Sequence, residues 1–142
     1  MKRFWLFLAL IVSSSCLLTC SSDDDEPVVK DKILGKWKLS MEYLNGIEIP
    51  LSECERQMTI EFFESGTYSE KDFEYDEEND ICTGLPLKTG TWENLGNSNY
   101  YLSDLGVESL KITFAGNSMT VLYSERIEDI VLELKVIFAK VD

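Results

Sequence analysis

Cysteine side chains are the residues of this chain with the clearest chemistry. The sequence of 142 residues contains four of them and no histidine. In an exported protein, an isolated cysteine pair without histidine is typical of a disulfide rather than of a metal or catalytic site. If the chain is exported, we therefore expect Cys54 and Cys82 to be bonded to each other. Two separate buried thiols are the alternative.

Cys20 stands in a different context, at the end of an apolar N-terminal run. The chain opens with Met1-Lys2-Arg3, and residues 4–12 are all apolar. Even when extended to residue 18, this segment has only 15 residues, whereas a membrane-spanning helix needs roughly 20. A basic start followed by a short apolar run is typical of an export signal.

The residues before Cys20 indicate that it is modified. Leu17, Leu18 and Thr19 resemble the lipobox of bacterial lipoproteins, in which a leucine stands three residues before the cysteine that is acylated. The resemblance implies a signal peptide over residues 1–19 and a lipid attached to Cys20. Two or more acyl chains hold a protein stably on a membrane. An ordinary secretory signal with a free Cys20 is the alternative, and Cys16 is a rival site that lacks the leucine.

Residues 20–31 are expected to form the lipidated cysteine and a flexible tether. Residues 21–27, Ser-Ser-Asp-Asp-Asp-Glu-Pro, hold no large apolar side chain that could offset the entropy of ordering. Their acids resemble the signal that sends lipoproteins of Gram-negative bacteria to the outer face of the outer membrane. We therefore expect a lipid-anchored protein of the outer membrane that faces the cell exterior, with periplasmic facing as the alternative. The tether spans at most about 37 Å.

The charge of the mature chain excludes one class of partner. Residues 20–142 contain 11 basic and 26 acidic side chains, because residues 1–19 carry two of the 13 basic residues and no acid. Such a surface repels phosphate groups, so no nucleic-acid partner is expected. A length of 123 residues is typical of one domain, which we place at residues 32–142.

Catalytic groups are sparse in this sequence. The absence of histidine removes the common nucleophile–base pairs and zinc sites. Residues 69–80 are rich in acids, but an EF-hand loop counted from Asp76 would place Ile81 and Leu87 where glycine and glutamate are required. We therefore expect no enzymatic activity, no cofactor and no metal site. Calcium bound by residues 69–80 in another loop geometry is the alternative to a solvated acidic face.

Alternating apolar residues predict an all-β fold. Period-two patterns run through most of the chain after Ile33, and they place one side chain in two toward a core. The predicted inward residues are Met58, Ile60, Phe62, Leu110, Ile112, Phe114, Met119, Val121, Tyr123, Leu132, Leu134, Val136 and Phe138.

Short turns connect these strands and predict their topology. Asn45-Gly46, Ser65-Gly66, Gly96-Asn97 and Gly116-Asn117 are dipeptides that favour tight hairpins. We therefore predict an antiparallel up-and-down meander of about eight strands that closes into a barrel, with an open sandwich as the alternative. The acidic residues 69–80 are expected to be a strand that frays into a solvated loop held by the disulfide.

Two Gly-x-Trp motifs carry a family resemblance. Gly35-Lys36-Trp37 and Gly90-Thr91-Trp92, together with the cysteine pair and the turn at Gly116-Asn117, resemble the lipocalin-like domain of bacterial lipoproteins over roughly residues 33–138. The resemblance implies a cup-shaped barrel whose floor is filled by the tryptophans. It also implies a basic residue late in the chain that packs over Trp37, for which Arg126 and Lys140 are the candidates.

The resemblance further implies a non-enzymatic binding module for a small hydrophobic or amphipathic ligand. The candidate contacts in the barrel interior are Trp37, Phe62, Trp92, Phe114, Tyr123 and Phe138. Because these side chains are large, they could also fill the barrel completely. In that case the protein would be a scaffold that contacts a protein or a glycan through its loops, for example through Tyr75, Tyr100 and Tyr101 if they gather on one side.

Overall fold

The computed structural model describes residues 30–105 and 109–141. The predicted signal peptide, the predicted acylation site Cys20 and nearly all of the predicted tether lie outside these residues. The described part contains eleven strands and one short 3-10 helix at Glu55–Gln57. The strands are β1 Gly35–Leu44, β2 Ile47–Ile49, β3 Thr59–Phe62, β4 Thr67–Lys71, β5 Phe73–Asp76, β6 Ile81–Gly84, β7 Lys88–Gly96, β8 Asn99–Leu102, β9 Leu110–Ala115, β10 Ser118–Ile127 and β11 Ile130–Val141.

Eight of these strands form a closed antiparallel barrel. The order β1-β3-β4-β7-β8-β9-β10-β11 follows the chain, and β11 pairs back with β1 over Lys36–Leu44 and Leu134–Val141. The closure confirms the predicted up-and-down barrel and rules out the open sandwich. Closure also removes the unpaired edges that would promote association between sheets.

The remaining strands lie outside the barrel wall. β2 pairs with the end of β1 through the turn at Asn45-Gly46, where both residues have a positive φ. β5 and β6 form a separate hairpin. The expectation of a fraying loop at residues 69–80 is therefore wrong, since β4 ends at Lys71 and a new strand begins at Phe73. The turn of this hairpin is ordered by Asp76, whose carboxylate accepts hydrogen bonds from the backbone N–H groups of Glu78 and Asn79.

The core lies where the alternating apolar residues predicted it. Ile33, Trp37, Ile112 and Met119 are the most completely buried large side chains. Trp37 belongs to β1, Ile112 to β9 and Met119 to β10, so one apolar interior joins opposite walls of the barrel. Within residues 30–105 and 109–141, no polar or charged residue is fully buried.

Candidate functional site

The barrel interior contains an open cavity of about 310 Å³. Its wall is apolar except for two glutamates and the hydroxyl of one tyrosine. The lining residues are Glu42, Met58, Ile60, Phe62, Glu70, Leu102, Leu105, Leu110, Ile112, Met119, Val121, Tyr123, Leu134, Val136 and Phe138. The interior is therefore not filled, although its side chains are large.

Three of the six predicted contact residues line this cavity, namely Phe62, Tyr123 and Phe138. The other three, Trp37, Trp92 and Phe114, lie beneath it in an aromatic floor. The floor is a continuous series of ring contacts with centroid distances of 5.8 Å for Trp37–Phe114, 6.2 Å for Phe114–Tyr100, 6.4 Å for Tyr100–Trp92 and 6.1 Å for Trp92–Phe62. These rings close one end of the barrel, so the cavity opens at the other end.

Both tryptophans of the floor are fixed by hydrogen bonds. The Trp37 indole N–H donates to the carbonyl of Ile33 at 2.7 Å, and the Trp92 indole N–H donates to the carbonyl of Phe63 at 3.1 Å. A buried indole needs such a partner for its polar edge. The Gly-x-Trp motifs therefore position the floor, and these two tryptophans are structural side chains in this fold.

The N-terminal segment reaches the barrel at the closed end. Tyr100 in the floor donates to the carboxylate of Asp31 at 2.9 Å. Burial, reinforced by this hydrogen bond and by the nearby negative charge, raises the pKa of the Tyr100 hydroxyl. Lys30 forms an ion pair with Glu64 in the turn between β3 and β4. Residues 30–33 are thereby tied to the floor and lie far from the mouth of the cavity.

A β-bulge in β1 turns Glu42 toward the cavity. Leu39 pairs with Phe138, but Met41 pairs with Ile137, so one extra residue, Ser40, interrupts the register. A bulge of this kind reverses the inward and outward positions that follow it. As a result Glu42 lies opposite Val136 and lines the cavity, whereas Met41 is 42% exposed on the outer face.

Glu42 is a site residue that the sequence analysis missed. Continuing the alternation of Trp37 and Leu39 would put Met41 and Tyr43 inside. The bulge forms where β1 pairs with β11, and a single strand carries no signal of that distant pairing. Burial raises the pKa of the Glu42 carboxyl, and the negative charge of Glu55 raises it further.

The second glutamate of the wall, Glu70, has a partner. Lys88 on the neighbouring strand β7 places its ammonium 2.8 Å from a Glu70 carboxylate oxygen and 2.6 Å from one of Asp72. The pKa of Glu70 is nevertheless raised, because its burial outweighs the attraction of Lys88. The two carboxylates hold the pKa of Lys88 well above its usual range. Lys88 therefore stays charged and is shared between two acids.

The cysteine pair forms the predicted disulfide outside the cavity. Cys54 and Cys82 are bonded, with their Cα atoms 5.3 Å apart. The bond joins the residue before the 3-10 helix to strand β6, so it attaches the β5–β6 hairpin to the body of the barrel.

Neither a metal site nor a membrane-spanning helix is found among the described residues. In residues 30–105 and 109–141, no group of three or more cysteine, aspartate or glutamate side chains is arranged to hold a metal ion. The same residues contain no helix of the length and apolar character needed to cross a membrane.

An eight-stranded antiparallel barrel, closed by an aromatic floor and open onto an apolar cavity, defines a cup-shaped β-barrel protein. The model of one protein family, the lipocalin-like domain, matches residues 33–121, which is more than half of the chain, and this chain belongs to that family. The match includes both Gly-x-Trp motifs. No curated protein matches the sequence at a significant level.

Proposed function

We propose that this protein is a non-enzymatic, lipid-anchored binding module that takes a small hydrophobic or amphipathic molecule into its barrel. The observation that carries the proposal is the cavity of about 310 Å³. This volume lies within the range of about 300–1,000 Å³ typical of small-molecule sites. A ligand enclosed there would gain roughly 25 cal/mol for each Å² of apolar surface removed from water.

The shape of the cavity favours binding of a molecule with one polar end. Phe62, Ile112 and Met119 surround the deeper part near the floor, whereas Leu105, which is 47% exposed, lies at the mouth. An apolar tail would thus lie between the strands, and a polar head would stay close to solvent.

The alternative function, a scaffold with a filled core, has less support. It requires a packed interior, and the cavity contradicts this requirement. The three tyrosines considered as a contact surface do not support it either. Tyr100 is buried in the floor, and of the three only Tyr75 and Tyr101 are exposed.

The proposed anchor implies an orientation of the cavity relative to the membrane. If Cys20 is acylated, the chain would reach the barrel from the membrane through residues 21–31. Lys30 and Asp31 contact the closed end, so the mouth would face away from the membrane. We propose that the protein faces the cell exterior at the outer membrane and receives its ligand from the aqueous side or from another protein.

A dye that fluoresces in apolar surroundings tests the binding function. We expect N-phenyl-naphthylamine, a neutral probe, to bind the purified domain and to be displaced by decanol. Val136→Trp places a large ring in the cavity and should abolish binding. Val131→Trp is the matched control, because Val131 lies on the same strand and is exposed. Equal dye binding by both variants would contradict the proposed site.

Labelling tests the anchor separately. Cells that express the full chain should incorporate radioactive palmitate into the protein, and Cys20→Ala should abolish the label. Unchanged labelling of the variant would show that Cys20 is not the acylated residue.

A further inference from the structure

We propose that the cavity selects ligands that carry a protonated amine on an apolar body, and that Glu42 at the cavity wall receives the amine. This inference rests on the proposed function, since it names the class of ligand for the same cavity. It predicts discrimination against fatty acids and other ligands with an anionic head.

The backbone itself points to a role for Glu42. Without the bulge at Ser40, the apolar side chain of Met41 would face the cavity and Glu42 would face water. The observed register does the reverse: it exposes Met41 and brings a carboxylate against Val136. A carboxylate next to apolar side chains loses hydration, which disfavours its charged form. Bulges that aim one side chain in this manner occur preferentially next to binding sites.

In the part of the chain that the structure describes, no cation is paired with Glu42. Among the described residues it takes part in no ion pair, because the ion pairs there involve Glu64, Glu70 and Asp72. Besides burial, it is the negative charge of another acid, Glu55, that raises the pKa of Glu42. A positively charged ligand group would therefore supply the missing counter-charge.

Two lysines, Lys88 and Lys135, are already engaged by other side chains. Lys88 is held by both Glu70 and Asp72. Lys135, opposite Tyr43, points to the outer face, with its ammonium 3.9 Å from the centroid of the Tyr43 ring. The hydroxyl of Tyr123, which lines the cavity, donates to Glu125 at 3.1 Å. The residues that line the cavity thus include two acids, Glu42 and Glu70, and no lysine or arginine.

An alkylammonium ion has the chemistry that this arrangement recognises. Its three N–H groups donate to carboxylate oxygens, and its alkyl chain fits between the apolar side chains of β3, β9 and β11. A charge-assisted hydrogen bond in a partly desolvated place is roughly twice as strong as a neutral one. An alkyl carboxylate in the same place would instead meet Glu42 and Glu70 and would be repelled.

Three probes of equal chain length test the inference by calorimetry at neutral pH, each kept below the concentration at which it forms micelles. They are decylammonium, decanol and decanoate. We expect decylammonium to bind at least about tenfold more tightly than decanol, as one charge-assisted hydrogen bond to a carboxylate allows. Decanoate should bind most weakly.

The variant Glu42→Gln isolates the residue. It keeps the size of the side chain and should remove the preference for decylammonium over decanol, while decanol binds as before. Glu48→Gln is the matched control, because it removes the same charge from an exposed position on β2. That variant should keep the preference.

The outcomes separate the two proposals. If no probe binds, both the binding function and this inference are overturned. If all three probes bind with similar affinity, or if decanoate binds best, the cavity binds ligands and the inference about the amine is wrong. If the preference survives Glu42→Gln, Glu42 is not the receiving group and the inference is also overturned.

Discussion

Lys140 extends across the closed end of the barrel and places its ammonium 5.0 Å from the centroid of the Trp37 indole ring. The same group donates to the carbonyl of Leu34 at 3.1 Å. Lys140 is therefore the basic residue that the family resemblance implied, whereas Arg126 lies in β10 opposite Val131. The contact joins β11 to the start of β1 and supports the closure of the barrel.

Loss of the Lys140 ammonium should weaken this closure. Lys140→Met keeps the apolar stem but removes the cation–π contact and the hydrogen bond, so we expect the free energy of unfolding to fall by about 1 kcal/mol. Urea denaturation measures the change. Lys38→Met, at an exposed position of β1, should have almost no effect. Equal stability of Lys140→Met and the wild type would show that the contact contributes nothing.

Gly90 should tolerate no side chain. A Cβ atom at this position would lie 2.6 Å from a ring carbon of Tyr68 and 2.7 Å from the hydroxyl oxygen of Ser103. Because Tyr68 is buried, its ring cannot move aside freely. We expect Gly90→Ala to destabilise the fold by about 2 kcal/mol, as overpacked substitutions do.

Gly84→Ala provides the control for Gly90→Ala in the same denaturation experiment. A Cβ atom at Gly84 would meet its nearest neighbour at 3.5 Å, an ordinary contact. The free energy of unfolding of Gly84→Ala should stay close to that of the wild type. If both variants lost the same stability, crowding against Tyr68 would not be the cause.

The sequence was sufficient for the regular parts of this fold. Met119, Val121 and Tyr123 on β10 line the interior as predicted, because β11 pairs with β10 along all three without a register shift, and β9 does so along Met119 and Val121. The same reasoning does not extend to the end of β1, where the bulge at Ser40 lies in the pairing with β11, a strand far away in the sequence. Alternation within one strand predicts which face is buried, but it does not reveal where a distant partner shifts the register.

The candidate site was predictable to a similar extent. Phe62 and Phe138 were expected in the interior and line the cavity. Whether large side chains fill a barrel depends on the tilt of its strands and on side-chain conformations, and neither is encoded in a residue pattern. The cavity and the position of Glu42 therefore became visible only in three dimensions.

Removal of the disulfide should allow the β5–β6 hairpin to unfold before the barrel unfolds. The bonded cysteines are separated by 28 positions in the sequence, so closing this loop stabilises the fold by about 3.5 kcal/mol in the chain-entropy model. An isolated two-stranded hairpin is marginally stable at best. We expect the double variant Cys54→Ala/Cys82→Ala to lose a comparable free energy of unfolding.

Limited proteolysis locates this effect. In the double variant, trypsin should cut first near Lys71 or Lys88, which flank the hairpin, while far-UV circular dichroism still reports a folded barrel. Cleavage that begins instead in β10 or β11 would show that the disulfide supports the barrel wall itself.

Because of the hydrogen bond between Tyr100 and Asp31, the free energy of unfolding should vary with pH in the alkaline range. Tyr100 is buried and its pKa is raised, so the folded protein keeps the phenol proton at a pH where an unfolded tyrosine, with a pKa of about 10, releases it. The contribution of Tyr100 to the free energy of unfolding is complete below about pH 10 and is lost as the pH rises above that value. We expect Tyr100→Phe to lower the free energy of unfolding by about 1.5 kcal/mol at neutral pH, because one hydrogen bond to a carboxylate is lost.

The pH profile distinguishes this bond from general alkaline unfolding. Lys88 also has a raised pKa and destabilises the wild type and the variant equally at high pH. The difference in stability between wild type and Tyr100→Phe should therefore shrink above about pH 10. Tyr101→Phe, one residue away and 37% exposed, should follow the wild type at every pH. A constant difference between wild type and Tyr100→Phe across this range would mean that the Tyr100 proton is not held by the fold.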